Sequence, residues 1–145
     1  MNTDWDRRFL ELASVVGSWS KDPSTKVGAV IVNENKQIVS MGYNGFPRGV
    51  KDDYRLKNRE TKYDLIVHAE ANAILKVAKS TQSTEGATLY QTLSPCKDCS
   101  KLIYQSGIKR VVFSNKYKDT EGIEFLTKAG VEISHISIEK KTDAE

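Results

Sequence analysis

The first twenty residues place apolar side chains at helical intervals. Trp5, Phe9, Leu12, Val16 and Trp19 share one side, Thr3 precedes them as an N-cap, and Asp6 follows three residues after the cap. Pro23, within SKDPSTK, ends that pattern. The period then changes: VGAVIV (27–32) and QIVSM (37–41) are β-branched runs joined by NENK, which predicts an antiparallel hairpin. KDDYRLKNRETKYD (51–64) is polar and aperiodic and reads as a surface loop or lid. Beyond it, helical and strand patterns alternate. HAEANAILKVAK (68–79) is a helix with Ala71, Ile74, Leu75 and Ala78 on one side, ATLYQTL (87–93) a strand, and CKDCSKLIYQSG (96–107) a helix. RVVFSN (110–115) is a strand, TEGIEFLTKAG (120–130) a helix and VEISHISI (131–138) a strand, with 139–145 as a flexible tail.

After the hairpin each helix returns the chain to the sheet, which favours parallel neighbours and helices on both faces. The expected fold class is therefore α/β: a three-layer α/β/α sandwich around a five-stranded mixed sheet. With 145 residues, 39% of them hydrophobic, the chain is expected to be one domain spanning 1–145. The net charge of +3 suits a phosphate-bearing small molecule and falls short of a nucleic-acid footprint, which clusters Lys and Arg on one face. MNTDWDRRFLELASVVG has acids near its start and no long apolar run, so it reads as neither a signal peptide nor a membrane span. A cytoplasmic protein with no membrane or nucleic-acid partner is the expectation.

The chain has two cysteines and two histidines. Two cysteines exclude a disulfide framework, and in a reducing compartment the pair suggests metal binding or redox work. His68 opens a helix, with Glu70 two residues later; Cys96 and Cys99 open the next helix, with Pro95 suited to its first position and Ser94 to its cap. At i, i+3 the two sulfurs lie on one face. One histidine and two cysteines make three ligands and leave the fourth tetrahedral position for water, the pattern of a catalytic zinc. Helix N-terminal dipoles favour the thiolates such a site needs. Glu70 is not a sensible fourth ligand, yet at a first turn it can face the open position as a proton shuttle. Taken singly, Cys-x-x-Cys could be a redox pair and a lone histidine is more often structural. Lys97-Asp98 and the preceding Ser-Pro do not look like a redox pair, and His135 reads as a surface or edge-strand side chain.

His-Ala-Glu followed by Pro-Cys-Lys-Asp-Cys is similar to the zinc deaminase signature. With SKDPSTKVGAVIVNENKQIVSMGYNGFPRG before it and ATLYQTLSPCKDCSKLIYQSGIKRVVFSNKY around the cysteines, the chain resembles the deoxycytidylate (dCMP) deaminases over residues 5 to 135. That resemblance implies a cytidine deaminase-like fold and hydrolysis of dCMP to dUMP and ammonia, supplying thymidylate synthesis. It places His68, Cys96 and Cys99 on the zinc ligands and Glu70 on the proton shuttle. It places Asn44 near the deoxyribose, and Ser24, Lys26 and Tyr117 near the substrate phosphate or sugar. It further implies a homohexamer activated by dCTP and inhibited by dTTP, with Mg²⁺. Asn44, Gly45, Phe46, Pro47, Arg48 and Gly49 would lie beside the effector. Some members carry a second, structural zinc on additional Cys and His; this chain has none left for it, so one Zn²⁺ per chain is expected. The competing readings are a deaminase of tRNA adenosine or free cytosine, a structural zinc module, and a redox protein.

Overall fold

The computed structural model describes residues 4–47 and 66–138. Thr3, the 51–64 segment, Arg48, Gly49 and the 139–145 tail lie outside the described residues. In chain order the elements are α1 (Asp4–Gly17), β1 (Gly28–Val32), β2 (Ile38–Tyr43), α2 (Ala69–Ala78), β3 (Thr88–Leu93), α3 (Lys97–Gln105), β4 (Arg110–Asn115), α4 (Glu121–Lys128) and β5 (Glu132–His135). The five strands form one mixed sheet in the order β2-β1-β3-β4-β5. β1 runs antiparallel to both β2 and β3, while β3, β4 and β5 are parallel.

Alternation along the central strands divides the core into two layers. Ala29 and Ile31 of β1, Leu89 of β3 and Val111 and Phe113 of β4 face α2, α3 and α4, with Ala69, Ala73, Ile103 and Leu126 packed on them. Val30, Val32, Tyr90 and Val112 point the other way, onto Phe9, Leu10, Ala13 and Val16 of α1. Burial on both faces is why the inner strands read as continuous apolar runs. The expected three-layer α/β/α arrangement is the one observed. No helix of the described residues is long and apolar enough to cross a membrane.

Two expectations for α1 are corrected. Its buried stripe is Phe9, Leu10, Ala13 and Val16, whereas Trp5 is 43% exposed and Trp19 lies beyond the helix end. The stripe also includes a charge. Asp6 is buried and paired with Arg110 at the start of β4, and the Tyr90 hydroxyl donates to it at 2.6 Å. Arg110 Nε lies 2.9 Å from Glu132 Oε2 on the neighbouring strand. This network sits at the opposite end of the parallel strands from the cysteine helix.

Candidate active site

β3 ends at Leu93, and within four residues the chain turns into α3. Cys96, not Ser94, is the N-cap: its Sγ accepts from the backbone N–H of Cys99 at 3.4 Å. Ser94 is instead spent on another loop, its hydroxyl accepting from the Tyr117 backbone N–H at 2.8 Å, and Pro95 falls before the helix. His68 occupies the N-cap of α2 with extended backbone. α2 and α3 therefore present their N-termini to the same point.

At that point His68 Nδ1 lies 3.3 Å from Cys99 Sγ and 3.6 Å from Cys96 Sγ, and the three donor atoms fall within 4.8 Å of one another. Tetrahedral zinc, with bonds of about 2.3 Å to sulfur and 2.0–2.1 Å to nitrogen, separates its N and S ligands by about 3.6 Å. The donor set and its spacing therefore fit zinc, and among the described residues no fourth His, Cys, Asp or Glu joins the cluster. The electrostatics ready one thiolate, that of Cys96. The hydrogen bond from Cys99 holds the Cys96 thiol well below its ordinary range, and the same contact pushes Cys99 up, because two touching sulfurs shed a first proton easily and a second reluctantly. The Cys96 contact raises His68.

Glu70, in the first turn of α2, is 2% exposed. Burial raises its pKa, against a hydrogen bond from Gln91 that lowers it; Gln91 Nε2 donates to Glu70 Oε2 at 3.0 Å. His68, Glu70 and Cys96 line a cavity of about 160 Å³, together with Asn44, Gln91 and Tyr117. Asp22, Thr25 and Val27 form part of the same wall. The metal cluster, the buried carboxylate and room for a small ligand thus coincide.

The remaining sequence candidates separate. Asn44 lines the cavity but its amide is largely committed: Oδ1 accepts from Val27 N–H at 2.8 Å, and Nδ2 donates to Thr25 O at 2.8 Å and to Asp22 Oδ2 at 3.3 Å. One lone pair of Oδ1 is left for a ligand. Ser24 is exposed and is not part of the lining; its N–H donates to Asp22 Oδ1 at 2.8 Å. Lys26 lines a neighbouring cavity with Ser14 and Ser18, on the α1 side. Gly45 bridges to Val67 through two backbone hydrogen bonds, Phe46 is buried and Pro47 half-buried. Gly42 serves packing: a Cβ there would stand 2.6 Å from Ala69 O, so its absence lets α2 lie directly on β2. His135 is exposed on edge strand β5, stacked on Phe113 and outside the metal-ligating cluster.

Sequence reasoning missed Asp22, Thr25 and Gln91. For Gln91 the signal was present: a polar residue between Leu89 and Leu93 on the inward side of a strand covered on both faces. Gly122, in the first turn of α4, was also passed over. A Cβ there would meet Pro95 O at 2.3 Å and the Cys96 carbonyl carbon at 2.8 Å, so α4 rests on the peptide that carries the first cysteine.

A three-donor metal cluster with an open position, beside a buried carboxylate on this sandwich, is the site of a metal-assisted hydrolytic enzyme. The chain belongs to the cytidine and deoxycytidylate deaminase zinc-binding family, whose model matches residues 3–115. It is 44% identical to the deoxycytidylate deaminase of Mus musculus over 81% of this chain and 69% of that one. It is also 44% identical to the deaminase of the luxG 3′ region of Aliivibrio fischeri, over 92% of this chain and 84% of that one. The dCMP deaminase of cyanophage S-TIM5, solved in complex with dCMP and dUMP, superposes with a TM-score of 0.85 at 35% identity, covering 94% of this chain and 99% of that one.

Proposed function

We propose that the protein converts dCMP and water to dUMP and ammonia. The observation that carries this reading is the His68, Cys96 and Cys99 cluster beside a cavity that His68, Cys96 and the buried Glu70 line. The choice of dCMP is supported by similarity, along nearly the whole chain, to a deaminase solved with dCMP and dUMP. His68, Cys96 and Cys99 would hold zinc, which would supply the Lewis acidity that lets a water ionise near neutral pH. Glu70 takes a proton from the attacking water and delivers it to ring nitrogen N3 as the water oxygen adds to C4; it then carries the proton of the new C4 hydroxyl to the amine, which leaves as ammonia as the C4–N bond breaks. A carboxylate raised by burial is matched to a task that requires it to accept and donate in one cycle. Asn44 orients the deoxyribose through its remaining Oδ1 lone pair while holding the wall formed by Asp22, Thr25 and Val27. Tyr117, 45% exposed on the cavity lining, is placed to reach the sugar or phosphate at the mouth. Ser24 and Lys26 flank the same loop as Thr25 and contribute charge and hydroxyl donors to the 5′-phosphate from outside the lining.

The same reading extends to regulation and assembly, supported by family resemblance. The dUMP formed feeds thymidylate synthesis in the cytoplasm. dCTP with Mg²⁺ activates and dTTP inhibits through the Asn44–Gly49 segment, and the working unit is a homohexamer. The segment's position favours such coupling: Asn44 lines the substrate cavity and Gly45 and Phe46 follow it directly.

Ammonia release from dCMP, deoxycytidine, cytosine and an RNA adenosine, each with and without dCTP, tests the proposal. The expected result is turnover of dCMP alone, raised by dCTP. Equal rates on deoxycytidine would refute the phosphate requirement, and release from RNA adenosine alone would replace the substrate.

A further inference from the structure

Gln91 stands at an unusual place for an amide. It is in the middle of β3, hydrogen-bonded into the sheet on both sides, with Ala29 as its partner on β1 and Phe113 as its partner on β4. On the same face of β3, Leu89 and Leu93 belong to the apolar core. Gln91 is 2% exposed, so its amide has left water entirely. Its Nε2 donates to Glu70 Oε2 at 3.0 Å, and its Oε1 is buried with no partner among the described residues. An apolar side chain would satisfy the sheet without orphaning an acceptor, and a buried acceptor without a donor costs stability. The amide is therefore retained at the expense of the fold, and the group it serves is the Glu70 carboxylate.

We propose that Gln91 is a positioning residue that fixes the Glu70 carboxylate at the cavity. Glu70 hangs from the first turn of α2 on three rotatable bonds, and a glutamate in that setting loses considerable rotamer entropy when held in one pose. Gln91 supplies the hold from a strand that cannot move. Tying Oε2 to the amide restricts rotation of a carboxylate that also accepts from its own backbone N–H. The inference rests on the assignment of Glu70 as the proton carrier.

The test compares the zinc-loaded wild type with Gln91→Met, which keeps length and apolar bulk but makes no hydrogen bond. Both are measured alone and on a Glu70→Gln background, with dCMP as substrate. Gln91→Met is expected to lower kcat roughly 10–100-fold, the range found when supporting partners of site residues are removed. KM should stay within about twofold, zinc per chain should be unchanged, and Tm should shift little, because the change removes the orphan Gln91 Oε1 but leaves Glu70 Oε2 without its donor. On the Glu70→Gln background the same substitution should cost nothing more, and a crystal structure of Gln91→Met should show the Glu70 carboxylate displaced. Gln91→Asn, one methylene too short to reach Glu70, should share the kcat loss and serves where Gln91→Met does not fold. An unchanged kcat, a loss that follows zinc content or Tm, or an equal loss on both backgrounds overturns the inference. A wild type that releases no ammonia from dCMP overturns the underlying reading instead.

Discussion

Asp6 and Arg110 face each other as a two-point ion pair, Nη1 to Oδ1 at 2.8 Å and Nη2 to Oδ2 at 2.9 Å, and it fastens α1 to the start of β4. The Asp6 and Arg110 side chains are 3% and 12% exposed. Removing one partner strands a charge, which typically costs about 3–5 kcal/mol, whereas replacing both by apolar groups of similar volume is often neutral. Asp6→Ala should therefore lower the unfolding free energy measured by urea denaturation, by less than that full amount because Arg110 keeps Glu132 at 2.9 Å, and Asp6→Leu with Arg110→Met should cost less than either single change. The network lies at the far end of the strands from the metal ligands, so kcat per folded molecule should not move.

Tyr90 adds a third group to the pair. Burial, and then its hydrogen bond to Asp6, raise its pKa above the ordinary value near 10. A raised pKa means that the folded chain holds this proton more tightly than the unfolded one. Its contribution is complete below pH 10 and is lost as pH rises beyond it. Tyr90→Phe should cost about 1.5–3 kcal/mol at pH 7, the usual range for hydrogen bonds to charged groups. The gap to wild type should narrow in denaturation curves taken above about pH 10; a constant gap would contradict the raised pKa.

Zinc should be required for turnover and should also stabilise the fold. Metal analysis should return one zinc per chain, and two would contradict the three-donor count. At free zinc 100-fold above its dissociation constant the fold gains about 2.7 kcal/mol, so chelation should lower Tm by roughly 5–10 °C. Cys99→Ser should remove that zinc-dependent increment. Glu70→Gln should keep the increment and lose about 10²–10⁴-fold in kcat, which separates the proton carrier from the ligands.

Gly122→Ala addresses how Cys96 is held. The added Cβ would overlap Pro95 O and must push α4 away from the cysteine loop. The expected result is weaker zinc retention in a chelator competition, together with a lower Tm. Unchanged zinc affinity would show that the loop holds its geometry without α4.

The periodic signals gave every element within a few residues, because burial on two faces imposes long apolar runs on β1, β3 and β4. The metal cluster was equally legible, since helix starts and i, i+3 spacing are local properties. What local patterns could not carry was pairing across the chain. Asp6 was legible only as the acid three residues after the Thr3 cap because its partner lies on β4, and the indoles of Trp5 and Trp19 fitted a helical period without being in the core. Ser94 satisfied the rules for a cap, but Cys96 took the position because its sulfur reaches the Cys99 N–H. Gln91 was overlooked because its meaning depends on α2 lying across β3.

The 104-residue separation of Asp6 and Arg110 also sets an order of events during synthesis. At roughly 5–20 residues per second, about 5–20 s pass between the emergence of the aspartate and that of its arginine. For most of that interval α1 is complete but neither β3 nor β4 has been made, and its apolar stripe has only the hairpin to cover it. α1 is thus made long before it is fully secured, its ion pair waiting on a strand that is synthesised late.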